Sequence, residues 1–88
     1  MAKVRLPAVL RPLVGGAALI PTEAASLDEL AGELHARYPA LAERVCVNGG
    51  FSEFVSVFVD GEDARYLEGA VALSPATEVT LLPAISGG

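Results

Sequence analysis

Ser26-Leu27-Asp28-Glu29-Leu30-Ala31-Gly32-Glu33-Leu34-His35-Ala36-Arg37-Tyr38-Pro39 is the stretch that decides the fold. Ser26 followed by Glu29 is a capping box, and Asp28 adds negative charge to the first helical turn, where the N–H groups lack partners. Leu27, Leu30, Ala31, Leu34 and Tyr38 recur at helical spacing and form one apolar stripe. The pattern predicts a single amphipathic helix over 26–38, and Pro39 forces its end. Leu41 is expected to tuck a short helical turn back on the core before an irregular stretch through Asn48-Gly49-Gly50.

Outward from this helix the period changes to two. Upstream, Val4 and Leu6 alternate with Lys3 and Arg5, as in a half-buried strand. A second apolar stretch, Val9, Leu10, Leu13 and Val14, runs to Gly15-Gly16, a pair that permits the positive φ of a tight turn. Residues 17–21 then read as an antiparallel return, so the chain opens with a hairpin. Downstream, Val55, Val57 and Val59 fall on one face and Phe54, Ser56 and Phe58 on the other, which predicts a strand over 54–59. Asp60-Gly61 is a strong hairpin signal; Ala64, Arg65 and Tyr66 follow as a short strand, 69–75 as a connection and 78–82 as the last strand. Two strands, a helix and two or three further strands make an α+β roll, a mixed sheet of four to five strands folded on one main helix. The first and final strands are expected to run parallel at its centre. The domain is read as 1–83, with 84–88 as a tail.

Composition narrows the function. The chain has 88 residues, 52% apolar and 19% charged, enough for one modest core and too little for an enclosed catalytic pocket. Function is therefore expected on a surface or at a terminus. A net charge of −5 without a Lys/Arg cluster argues against nucleic acid and favours a basic protein surface. No long apolar run or secretory signal appears, so no membrane partner and a cytoplasmic location are expected. The single cysteine, Cys46, permits no internal disulfide and reads as a small packed hydrophobe.

Familiar catalytic devices are missing. Gly15-Gly16 and Gly49-Gly50 lack the lysine and the strand-to-helix context of a phosphate cradle, so ATP is not expected to bind this chain. One His and one Cys cannot make a soft-ligand metal site. Asp60, Glu62 and Asp63 read as a solvated hairpin, and His35 lies off the apolar stripe with no nucleophile motif beside it. No bound cofactor and no metal are expected.

What remains is the C-terminus. The run Val79, Leu81, Leu82, Pro83, Ala84, Ile85 leads to a bare Gly87-Gly88, which places a carboxylate at the tip of a segment with no terminal side chains. Five residues, 84–88, extend roughly 17 Å. Without β-carbons, Gly87 and Gly88 can thread a slot too narrow for any other residue. The Gly88 carboxylate is the candidate reactive group and Gly87 the slot-fitting residue. Leu82, Pro83, Ile85 and Ser86 are candidates for reading by a partner, with ordinary core contact the competing role for Leu82.

The ending Thr77-Glu78-Val79-Thr80-Leu81-Leu82-Pro83-Ala84-Ile85-Ser86-Gly87-Gly88 resembles that of the ubiquitin-like sulfur-carrier family represented by MoaD and ThiS, whose members typically finish in DxVxxLPxxxGG. Glu78 stands where Asp is frequent. Leu10-Arg11-Pro12, Gly15-Gly16 and the segment from Phe54 to Arg65 extend the resemblance towards the CysO branch. It implies a ubiquitin-like β-grasp fold and a carrier that is not itself an enzyme. It also implies an E1-like adenylating partner of the MoeB/ThiF type, which uses Mg and ATP to make an acyl-adenylate at Gly88. A sulfur donor then leaves a thiocarboxylate for an acceptor synthase. The CysO branch is associated with cysteine formation, which implies a cysteine synthase as acceptor and a metalloprotease that releases the product; the resemblance leaves thiamin, molybdopterin or a thiosugar natural product open as other destinations of the sulfur. A protein modifier joined through Gly88, or the small subunit of a molybdopterin synthase, remains an alternative; Lys3 is the only lysine available for chains.

Overall fold

The computed structural model describes residues 1–67 and 71–83. Strand β1 (Ala2–Arg5) and strand β2 (Leu19–Thr22) form the opening antiparallel hairpin, in the register Val4 to Ile20. Helix α1 (Leu27–Arg37) and helix α2 (Pro39–Val45) follow. Next come the short strands β3 (Cys46–Val47) and β4 (Gly50–Phe51), then β5 (Val55–Val59), β6 (Glu62–Asp63) and β7 (Glu78–Pro83). The main sheet has the order β2-β1-β7-β5-β6, and β3 and β4 pair separately. β7 lies parallel to β1 and antiparallel to β5, so the last strand is central, as the roll requires. The architecture is a ubiquitin-like β-grasp.

One face of that sheet makes the core. Val4, Ile20, Val55, Val57, Val79 and Leu81 point inward, onto Leu30, Ala31 and Leu34 of α1 and Leu41, Ala42 and Val45 of α2. The helix begins as its capping box demands, with the Glu29 N–H donating to Ser26 Oγ at 3.2 Å. The reciprocal carboxylate bond comes one residue early, from the Ala25 N–H to Glu29 Oε1 at 3.2 Å. Ser26→Ala is expected to cost ~1 kcal/mol, with Ser26→Asp near neutral. Thermal melts of the two variants check this.

Four local readings are corrected. The apolar stretch before Gly15 is no strand: Arg11–Val14 is a 3-10 turn started by Pro12, and Gly15 closes it at φ 69°. Pro39 ends α1 and also opens α2, because a proline at the first helical position has no N–H to leave unpaired. The stretch through Asn48-Gly49-Gly50 is a hairpin, with Asn48 at φ 53° and Gly49 at φ 83° supplying its two left-handed turn residues. Ala64–Tyr66 is a 3-10 turn and the strand is Glu62–Asp63 instead, since the Asp63 carboxylate accepts the Arg65 N–H at 2.9 Å and bends the chain off the sheet. Of the connection expected over 69–75, residues 69 and 70 lie outside the described residues; Ala72 bridges to Ser26, and Leu73 is buried.

Candidate functional site at the end of the central strand

The site is built on β7. Hydrogen bonds fix where it starts: the Asp60 N–H donates to the Glu78 carbonyl at 2.8 Å, and the Glu78 N–H donates to Asp60 Oδ1 at 2.9 Å. Asp60 is therefore more than a solvated hairpin residue, because its carboxylate anchors the last strand. Strand alternation then sends Val79 and Leu81 into the core, both fully buried, and turns Leu82 outward with 41% of its surface exposed. Thr80 is the last β7 residue paired to β1, so residues 81–83 are held by β5 alone, out to the pair Pro83 and Val55. Pro83 is the last described residue of this central strand. Ile85, Ser86, Gly87 and Gly88 lie outside the described residues.

The core role considered for Leu82 is not the one it takes. It belongs to the outer sheet face, two residues along β7 from Thr80. Thr80 is in register with Arg5 on one side and Phe58 on the other, and Arg5 in turn with Leu19. Leu19, itself 38% exposed, and the partly buried Phe58 thus join Leu82 on one apolar face around a guanidinium. Sequence reading placed Phe58 opposite Val57 but could not supply the cross-strand register that brings Leu19 into line.

Electrostatics on this face are local. Arg5 Nε donates to Glu78 Oε2 at 2.9 Å and Nη2 to Oε1 at 3.3 Å. The hydrogen bond from Arg5 holds the Glu78 carboxyl below its ordinary value of 4.5 and raises the guanidinium. A carboxyl lowered in the folded state adds stability above its unfolded pKa and loses it as pH falls through the folded value. Glu78→Gln is therefore expected to lower stability slightly near neutrality and to flatten the acid limb, the two proteins converging as pH falls below about 4.5. Urea midpoints measured across that range check it.

Other candidates for chemistry stay apart. Burial pushes the Cys46 thiol up, away from the thiolate form a nucleophile needs. His35 is exposed on α1. No group of metal-ligating side chains occurs among the described residues, and no helix there is long and apolar enough to cross a membrane.

Comparisons with known proteins agree with this geometry. The ThiS family model matches residues 4–88. The sulfur carrier protein CysO of Mycobacterium tuberculosis is 34% identical over 89 aligned residues, covering 97% of this chain and 96% of that protein. In structure, a chain of the Amycolatopsis orientalis BexX/CysO complex superposes with a TM-score of 0.86 at 26% identity, covering all of both chains. The small archaeal modifier protein 1 of Methanosarcina acetivorans superposes with a TM-score of 0.84 at 27% identity, covering 99% of this chain and 95% of that one. With a β-grasp whose central strand feeds the terminal segment, and a family match that runs to the last residue, this chain belongs to the ThiS family and is a CysO-like sulfur carrier.

Proposed function

We propose that the Gly88 carboxylate is the covalent site of this carrier. A carboxylate is a poor electrophile until one of its oxygens carries a good leaving group. A carboxylate oxygen attacks the α-phosphorus of ATP held with Mg in an E1-like adenylating partner, and pyrophosphate departs, leaving the acyl-adenylate. A sulfide-level donor then attacks the acyl carbon, and AMP leaves. The product is a C-terminal thiocarboxylate, a soft nucleophile that can be handed to an acceptor synthase. Cationic groups and metal in the partner stabilise the charge that develops on phosphorus. This chain supplies the acyl group, its reach and the surface by which it is recognised.

The observation that carries this reading is the outer face at the end of the described central strand. The central strand ends at Pro83 with Leu82 exposed on the outer face, so a partner can grip the sheet while the terminal segment enters its active site. Leu82, Pro83, Ile85 and Ser86 are assigned to that grip, and Gly87 to the narrow passage before the reacting carbon. Pyrophosphate exchange with the cognate adenylating enzyme tests the assignment. Exchange should require Gly88 and fall about tenfold in Leu82→Ala, as for an interface anchor. Cys46→Ser should retain sulfur transfer, because the travelling sulfur is on the terminus; loss of transfer in a folded variant would refute this.

Cysteine formation, with a cysteine synthase as acceptor and a metalloprotease releasing the product, is the route supported by the CysO likeness. A second reading, conjugation to amines on other proteins, is favoured by the likeness to an archaeal modifier. An activated acyl group can be captured by either nucleophile, and species heavier by a whole target protein would mark the second.

A further inference from the structure

Eleven acidic and six basic residues give the chain its net charge of −5. Two of those six cations, Lys3 and Arg5, stand two residues apart on β1, both exposed on the outer face of the sheet. In register beside Lys3 are Pro21 on β2 and Glu78 on β7; beside Arg5 are Leu19 and Thr80, and beyond Thr80 lies Phe58. The two cations thus border the apolar patch of Leu19, Phe58 and Leu82, on a face that also exposes Pro21.

The carboxylates nearby are already engaged. Glu78 is taken by Arg5; Asp63, in register with Phe58, is held by Arg65 at 2.9 Å; and Asp60 Oδ1 accepts the Glu78 N–H. Lys3, by contrast, makes no ion pair among the described residues. Arg5 keeps an unused edge, because Nε and Nη2 donate to Glu78 while Nη1 makes no hydrogen bond among the described residues. The two-point contact with Glu78 fixes the guanidinium before any partner arrives, so less side-chain freedom is lost when that edge binds. What this face still offers is positive charge around an apolar centre.

We propose that the face docks on an acidic, apolar-centred patch of the adenylating partner, whose carboxylates pair with Lys3 and with the free edge of Arg5 while an apolar side chain sits among Leu19, Phe58 and Leu82. At long range the net charge favours a basic partner. At contact, only groups within a Debye length, about 8 Å, decide complementarity, and on this face they call for anions. Apolar contact supplies affinity, and the carboxylates set register and reject a basic surface. Only the partner's identity is taken from the carrier reading; the sign of its surface comes from this face, and is the reverse of that expected from composition.

Calorimetric titration of the full chain into the E1-like adenylating enzyme of the same organism, without ATP, reads docking apart from chemistry at Gly88. Lys3→Glu is expected to weaken binding about tenfold or more, and Lys3→Gln about threefold. Arg44→Glu, an equal change of net charge at an exposed position on α2, should stay within about twofold of wild type. Raised salt should weaken the wild type more than Lys3→Gln, because the variant lacks one attractive pair. In pyrophosphate exchange Lys3→Gln should raise the KM for the carrier with kcat retained, a split that loss of fold would not produce. Should Lys3→Glu melt early beside Glu78, Lys3→Gln carries the comparison. The proposal is overturned if the wild type does not bind, if Lys3→Glu binds as well as the wild type or more tightly, or if Arg44→Glu weakens binding equally, which would make net charge the cause. Binding that responds to Lys3 in a wild type that shows no exchange would refute the Gly88 assignment and leave the docking face standing.

Discussion

Deleting Gly88 is expected to abolish adenylation by the cognate enzyme while leaving the melting curve of the protein unchanged. On the proposed assignment the reacting carbon is removed outright, and a chain ending at Gly87 presents its carboxylate one residue, roughly 3.5 Å, short of the position the full tail would reach. Displacement of reacting atoms by even about 1 Å can cost on the order of a hundredfold in rate. Gly87→Trp should have a similar effect by a different route, since its indole would have to enter the passage proposed for a bare backbone. Stability should hold in both variants because the buried core of the described residues ends at Leu81, well before the substituted positions. Pyrophosphate exchange alongside thermal melts reads both quantities. Equal exchange by wild type and Gly87→Trp would remove the reason for a glycine at that position.

The adjacent pair Leu81 and Leu82 should separate stability from recognition. Leu81 is fully buried in the centre of the sheet, in register with Val57, whereas Leu82 is exposed on the opposite face. Leu81→Ala loses both its transfer free energy and close contacts that the rigid sheet cannot restore, at a cost of about 2–5 kcal/mol. In a domain of this size each kcal/mol lowers the melting temperature by roughly 4–8 °C, so the expected drop is large. Leu82→Ala leaves no cavity and should cost within about 0.5 kcal/mol. Its effect should appear in the interaction with the adenylating partner. Urea denaturation of the two variants checks the first half, and a loss of stability in Leu82→Ala as large as in Leu81→Ala would contradict the placement of Leu82.

The elements that were legible in the sequence are those whose hydrophobic period is sustained. The helix from Leu27, the strand centred on Val57 and the last strand declare themselves because buried positions recur at a fixed interval. The elements that were misread are short and governed by single side chains. Asp63 turns the chain into a 3-10 helix by accepting one N–H, and that preference outweighs the β-like composition of Ala64, Arg65 and Tyr66. Asn48-Gly49 is as good a two-residue turn as Asp60-Gly61, but the strands beside it are only two residues long and carry no alternation to flag them. Pro39 reads as a stop and is also a start, because φ −135° at Tyr38 places the residue before the proline outside the helical region that Pro39 itself re-enters.

For the site, the same distinction holds. The last strand and its direction towards Gly87-Gly88 follow from the alternation of Val79 and Leu81 and from the apolar ending. Recognition of Leu82 by a partner and its burial in the core were both compatible with the sequence. The register of β7 against β1 and β5 is what separates them, and register between strands distant in the chain is not written in local periodicity. The same register gathers Leu19, Phe58 and Leu82 on one face.

Intact-mass spectrometry of the protein from cells expressing its natural partners, followed by fragmentation after thiol alkylation, tests the role of Gly88 most directly. The expected species is heavier by about 16 Da, an increment that oxidation also produces, so alkylation is needed to tell them apart. The alkyl group should map to the C-terminal fragment carrying Gly88. A mass gain that maps to Cys46 or Met1, or a terminus that remains a plain carboxylate in cells with an active sulfur-transfer system, would contradict the assignment.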